Sequence, residues 1–401
     1  MNKLAGKKKT SRFKKIASKL HLWLGLSVGF IIFFVSITGA LYVFRDEIEA
    51  LQRKDIIYHQ ERDYTSKKLL PIRVLEEKIN EQVPQEYPIH WVSIPTDKSM
   101  SYRFYWYEHN PDGWHYFDEF PIYKLAYVNP YSGKVLALYD EKNGFFQIVK
   151  MLHWSFLLKE SWGTYVVGIP VLLFIVMLFT GIILWWPKNK AARKQRFSFQ
   201  WENVKNWKRK NYDVHNIFGF YSSILALIVA ITGIFYAFIF VQTLMYFVFS
   251  GGQTALPDYS SYKTTAEESL RTTTTIDLMA EQTRAQFPQA FAFNIDLGHP
   301  HLEEELEGNF QVYVQHLSYS YHQYSSIIFD ENSAEVLKVI DYKDKNFGEK
   351  VVGANYDIHV GSILGLPTKI IAFILSLMIA SMPVTGFLIW WGRRKKNKRS
   401  V

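Results

Sequence analysis

Four of the twelve histidines in this 401-residue chain, His21, His153, His215 and His359, lie in or beside strongly apolar stretches. An ionisable side chain at membrane depth is costly and by default marks function. The spacing of the four is regular. His21 and His215 each stand 17 residues before a Thr-Gly pair, Thr38-Gly39 and Thr232-Gly233. His153 and His359 stand 27 and 26 residues before Thr180-Gly181 and Thr385-Gly386. Imidazole is a usual axial ligand of haem iron, and helical bundles build cofactor sites from facing helices. His21 with His215, and His153 with His359, are therefore expected to meet across a pseudo-twofold axis, each pair supplying both axial ligands of one haem. Gly25 and Gly219, one turn beyond the first pair, remove a side chain from the same helix face. They would let a flat macrocycle approach the backbone, with Gly361 as a similar feature after His359. Trp23, Trp154, Phe218 and Phe220 are candidate walls. The competing readings are interfacial histidines with satisfied hydrogen bonds, or a proton relay, for which the helices offer almost no Asp or Glu. One zinc shared by all four is disfavoured, because the two pairs belong to opposite membrane faces. The Thr-Gly pairs read as small-residue helix packing.

The elements that must position these residues are four apolar stretches, 22–44, 163–186, 217–249 and 363–391. Each is near or above the roughly 20 residues that cross a hydrocarbon core. The first is too long for a secretory signal and reads as an uncleaved anchor. A helix of 26 residues spans about 39 Å, more than the core. The segments after His153 and His359 are thus expected to bend, helped by Gly163, Pro170, Gly365 and Pro367. Charge fixes the expected orientation. Residues 1–20 hold eight Lys/Arg, residues 187–211 hold nine against Glu202 alone, and residues 392–401 hold six. The rest of the chain has 23 basic and 36 acidic residues. Basic flanks stay cytoplasmic, so both termini and the middle loop are expected inside and two segments of about 100 residues outside. Basic runs beside membrane helices read as topology signals or lipid contacts, not as a nucleic-acid surface. The absence of cysteine excludes disulfides, thiolate metal sites and covalent c-type haem.

The chain also repeats itself. HLWLG at 21–25 answers HNIFG at 215–219, and VNPYSGKVL at 128–136 answers FDENSAEVL at 329–337. Offsets of 194 to 206 indicate a unit of about 200 residues occurring twice in parallel. The expected fold class is a four-transmembrane-helix bundle from a tandem duplication, with two extracytoplasmic α+β domains. The expected organisation is a basic N-terminus 1–20, a membrane helix 21–44 and an outer domain 45–150. An interfacial segment with a second helix follows at 151–186, then a basic loop 187–211. The second half is a helix 212–249, an outer domain 250–355, an interfacial segment with a fourth helix 356–391, and a basic tail 392–401.

The helix-associated histidines, the Thr-Gly endings, the Trp185-Trp186-Pro187 and Trp390-Trp391-Gly392 terminators and the 128–136 turn resemble the PepSY-associated transmembrane helix proteins, a family of iron-regulated bacterial inner-membrane proteins. The resemblance runs from about residue 13 to 394. The second turn departs from the pattern, with Ser333-Ala334-Glu335 where Ser132-Gly133-Lys134 stands in the first half. Members are similar to ferric-siderophore reductases carrying two b-type haems. The resemblance implies that His21, His215, His153 and His359 are the haem ligands, that the outer segments are PepSY domains, and that the chain is an oxidoreductase. Its electrons would reduce a ferric siderophore or ferric chelate on the periplasmic side and release iron. The middle loop carries no Gly-rich nucleotide fingerprint, so a separate donor, a flavoprotein or quinol, is expected. Arg45 and Lys150 at one face, and Lys19, Arg209 or Lys210 at the other, are candidate propionate partners. His299, His301, His109 and His115 are candidates to touch iron or substrate. Two alternatives stay open: a membrane-anchored PepSY binding or regulatory protein without redox activity, and a siderophore permease.

Overall fold

The computed structural model describes residues 12–398 except 62, 84–87, 188–189, 203, 255–256, 258–272, 298–309 and 331. The first half runs α1 (Arg12–Tyr42), α2 (Arg45–Gln52), α3 (Lys54–Ile57), α4 (Ile72–Gln82), β1 (Trp91–Pro95), β2 (Tyr102–Glu108), α5 (Tyr116–Glu119), β3 (Ile122–Val128), β4 (Val135–Asp140), α6 (Phe145–Ser155) and α7 (Glu160–Trp185). After α8 (Lys190–Phe197) the second half runs α9 (Trp207–Ala237), α10 (Ile239–Phe249), α11 (Thr273–Gln286), β5 (Ala292–Asp296), β6 (Phe310–Leu317), β7 (Ser320–Phe329), β8 (Val336–Ile340), α12 (Phe347–Gly353), α13 (Asn355–Val360) and α14 (Leu366–Lys398).

Four helices, α1, α7, α9 and α14, are long and apolar enough to cross a membrane. They form a square: α1 packs on α7 and α14, and α9 packs on the same two. Val28, Ile32, Phe174, Ala226, Ala230, Leu375 and Ile379 make its interior. The apolar stretch 217–249 is not one span. Phe238 takes an extended backbone (φ −135°, ψ 109°), ending α9 and starting α10. No Pro or Gly announces this break; the Gln242 side chain stabilises it by donating to the freed Phe235 carbonyl at 3.0 Å.

The two outer segments form one sheet where two domains were expected. Its order is β4-β3-β2-β1-β5-β6-β7-β8, antiparallel throughout and joined at the centre by β1 and β5, in register from Trp91↔Asp296 to Pro95↔Ala292. Each half-sheet would otherwise expose an unpaired edge, and pairing the two edges removes both. Strand periodicity sorts β2 onto two faces. Tyr102, Phe104 and Trp106 enter a core with Leu75 and Ile79 of α4 and Met279 of α11, and Arg103, Tyr105 and Tyr107 line the other face. Asp277 of α11 accepts the Ile72 N–H at the start of α4 at 2.7 Å, tying the halves together.

The expected bends are present, with Gly163 and Gly365 of the expected residues joined by Phe156, Leu157 and Gly361. α6 ends at Phe156 and Leu157, both left-handed (φ 57° and 61°), and α13 ends at Gly361 (φ 81°) before Gly365 (φ 73°). At Gly163 a Cβ would lie 2.7 Å from Ser155 Cβ, so glycine allows α7 to fold back on α6. Pro170 lies inside α7 and is buried.

Candidate cofactor sites

α1 and α9 begin well before their histidines, at Arg12 and Trp207, so His21 and His215 sit two turns into long helices. Asn206 caps α9 by accepting the Lys208 N–H. The rings of His21 and His215 face each other with centres 6.3 Å apart and planes at 80°. His153 on α6 and His359 on α13 do the same at 5.9 Å and 61°. Two imidazoles that share one metal at about 2 Å from each nitrogen need ring centres roughly 6 Å apart. Both pairs meet that requirement.

Each imidazole is held the same way. His21 Nδ1 lies 3.2 Å from the Met177 carbonyl and 3.1 Å from Thr180 Oγ1. His153 Nδ1 lies 2.9 Å from the Val35 carbonyl and 3.3 Å from Thr38 Oγ1. His215 Nδ1 lies 2.9 Å from Thr385 Oγ1, with the Met382 carbonyl as backbone acceptor. His359 Nδ1 lies 3.1 Å from the Val229 carbonyl and 3.0 Å from Thr232 Oγ1. The threonines spend their own protons on carbonyls one turn back: Thr38 on Phe34, Thr180 on Met177, Thr232 on Ile228 and Thr385 on Ser381. Carbonyl and hydroxyl therefore both present lone pairs, so Nδ1 carries the hydrogen and donates it. Nε2 is left as the unprotonated nitrogen, and among the described residues it has no hydrogen-bond partner. Metal-binding histidines are supported in this manner.

The glycine of each Thr-Gly pair completes the cradle. A Cβ on Gly181, Gly39, Gly386 or Gly233 would stand 3.0–3.2 Å from Cε1 of His21, His153, His215 or His359 respectively. The Thr-Gly pairs, expected to serve only helix packing, thus seat and orient the histidines. The cradles are reciprocal within each half: α7 seats His21 of α1 while α1 seats His153 of α6, and the second half repeats the exchange. The recurrence of a Thr-Gly pair at the matching place in each of the four helices was the signal available in the sequence.

A cavity of about 430 Å³ adjoins the first pair, lined by His21, His215, Gly25, Gly219, Trp185, Phe220 and Arg393 among others, with no Asp or Glu. Cofactor pockets occupy this size range. A Cβ on Gly25 would meet Met177 Cε at 3.3 Å and one on Gly219 would meet Met382 Sδ at 3.6 Å, so both glycines keep the cavity wide. The Trp185 Nε1–H is buried without a partner among the described residues. Paired imidazoles with free Nε2 atoms, a cavity of this size and an orphan donor fit a haem. A bare ion fits less well: among the described residues no three His, Asp or Glu side chains cluster.

A family model for the PepSY-associated TM region matches residues 18–393. The chain belongs to that family. Among the curated proteins, no relative matches it. The PepSY-associated region accounts for all four membrane helices, the sheet and the four histidines.

The remaining candidates of this PepSY-associated chain divide. Phe220 walls the cavity, stacked on Trp185 at 3.8 Å. Trp23 does not: it is 68% exposed on the bundle surface, since two residues beyond His21 a helix has turned about 200°. Trp154 packs on Tyr236 and Phe218 on Phe199. Arg209 is occupied by Asp213 at 2.9 Å, Lys210 lies over the Trp201 ring, and Lys19 is exposed. Arg393 is the cation that lines the cavity. Arg45 pairs with Glu49 and Tyr42, while Lys150 stands one turn before His153 with Glu160 and Glu141 within electrostatic reach. His109 and His115 pair with Glu119 and Asp118. His299 and His301 lie outside the described residues.

Proposed function

We propose that the chain is a transmembrane oxidoreductase holding two non-covalent b-type haems, one between His21 and His215 and one between His153 and His359. When bound, the haems would supply one-electron Fe(III)/Fe(II) exchange. The electron comes from a separate quinol or flavoprotein and ends on the ferric ion of a siderophore or other chelate, which loosens its hold on iron once reduced. In this reading the protein lies in the bacterial inner membrane, its basic end and both termini are cytoplasmic, the sheet is extracytoplasmic, and the two halves descend from a tandem duplication.

The chain's own residues do the positioning. The carbonyl-threonine cradles keep the proton on Nδ1 and aim Nε2 at the gap. Gly25 and Gly219 leave room for a planar group. Arg393 and the Trp185 N–H would receive propionates at the basic end, Lys150 at the sheet end. The apolar layer from Val28 to Ile379 keeps water from joining the two pairs. One observation carries this reading: two ring pairs about 6 Å apart, all four Nδ1 atoms anchored alike. Stopped-flow absorbance tests it. The reduced, purified protein should show a sharp α-band that decays on mixing with ferric chelate; a colourless protein, or a band indifferent to the chelate, refutes it.

A further inference from the structure

We propose that α10 lies in the plane of the membrane, with one face set among the acyl chains of the leaflet nearest the sheet. Ile239, Phe240, Thr243, Leu244, Phe247 and Val248 are exposed. At helical spacing they form one continuous stripe. None of them is charged, and the Thr243 hydroxyl is already spent on the Ile239 carbonyl at 3.2 Å. The polar side chains point inward instead. Gln242 donates to the Phe235 carbonyl. The Tyr246 hydroxyl donates to Gln253 Oε1 at 2.7 Å and accepts from Asn346 Nδ2 at 3.0 Å. A surface helix facing water has the opposite sense, polar out and apolar in.

Position selects lipid as the occupant. The apolar part of α9, residues 217–237, rises about 31 Å and by itself spans the roughly 30 Å hydrocarbon core. Its exposed residues Ile224, Ile228 and Ile231 run up to the break at Phe238, and the α10 stripe resumes beyond it. α10 is about 16 Å long, too short to cross, and a helix with an apolar face at that depth lies along the boundary. It packs on α12, the short helix that leads from the sheet into α13, so it sits where sheet and bundle join. The contact is close: a Cβ on Gly348 would lie 2.8 Å from Ser250 Cβ and 3.0 Å from Tyr246 Cδ2. Exposed Phe347, 5.9 Å from Phe249, widens the apolar surface. A protein partner needs polar groups at the rim of its interface, and the stripe offers Thr243 alone. α2, at the matching place after α1, carries Arg45, Asp46, Glu47 and Glu49 instead. The lipid seat belongs to the second half.

The chain has no cysteine, so one introduced thiol carries one nitroxide label. Leu244→Cys and Val248→Cys are labelled in the full chain in phosphatidylcholine nanodiscs. Ile228→Cys on α9 gives the hydrocarbon reference, and Ser333→Cys, at the exposed turn between β7 and β8, gives the aqueous one. Power-saturation electron paramagnetic resonance reads collisions with oxygen, which concentrates in hydrocarbon, and with a neutral nickel chelate, which stays in water. Both α10 labels should collide with oxygen as Ile228→Cys does and lose the nickel collisions that Ser333→Cys retains. The pattern should be the same in phosphatidylglycerol nanodiscs, because no charge takes part. Nickel collisions at the level of Ser333→Cys place α10 in water and overturn the proposal. Labels shielded from both reagents, or spin–spin broadening that dilution with unlabelled chain removes, also overturn it, since protein then covers the stripe. Nickel exclusion that requires the anionic lipid does the same. If one variant fails to fold, the other decides.

Discussion

At the basic end of the bundle, His21 and His215 belong to two long membrane helices and look onto a cavity kept open by Gly25 and Gly219. At the sheet end, His153 and His359 sit on the short helices α6 and α13, which join the sheet to α7 and α14. The imidazole cradles are the same; what holds the cradled residue differs. The first pair depends on the bundle alone. The second depends also on the anchoring of α6 and α13. α6 is held by apolar packing through Phe146, Val149 and Met151. α13 is held by Asp357, fully buried, which accepts the Tyr321 and His322 N–H groups at 2.9 and 2.5 Å and the Ser320 and Ser362 hydroxyls. Two sites of one design can therefore be perturbed separately.

The largest expected separation comes from the ligands. His21→Ala or His215→Ala should halve haem content and leave the second site's spectrum intact, and His359→Ala should do the converse; equal loss of both haems in either variant would show that the pairs are not independent. Next is Asp357→Ala. Removing one member of a buried polar network costs about 3–5 kcal/mol, so the second haem should be lost or much weakened while the first stays, as read from the Soret band and the haem-to-protein ratio. Third, Thr180→Val and Thr38→Val delete one acceptor each from the first and second sites. Loss of a group that orients a metal-binding imidazole costs about 10–100-fold in affinity, and each should touch only its own haem.

The smallest expected effect lies in the sheet domain, away from both pairs. Burial, then the charges of Asp277 and Glu77, raise the Glu76 carboxyl to about 7. A carboxyl whose folded pKa is raised favours the folded state when protonated. The penalty is absent below about pH 4.5, grows up to about pH 7 and is constant above it. Glu76→Gln should raise the melting temperature by about 2–4 °C at pH 8 and leave it unchanged at pH 4. An equal shift at both pH values would mean that packing, not charge, is responsible.

The sequence made the membrane helices readable because length and apolarity suffice to define a span. The histidine pairs were readable because the repeat placed them in matching positions. The merged sheet was not, since β1 and β5 join through main-chain groups that every strand offers. Nor was the end of α9, where Phe238 breaks the helix without Pro or Gly. The cradles escaped for a different reason. Thr-Gly is common in packed membrane helices, and only the fold shows that each pair faces a histidine of its own half.

The central claim is that both imidazole pairs hold a macrocycle, and haem extracted into alkaline pyridine and counted against protein measures it most directly. Two haems b per chain are predicted for protein purified from haem-replete cells. A ratio of zero, or of one that persists after His21→Ala and after His359→Ala alike, would contradict it.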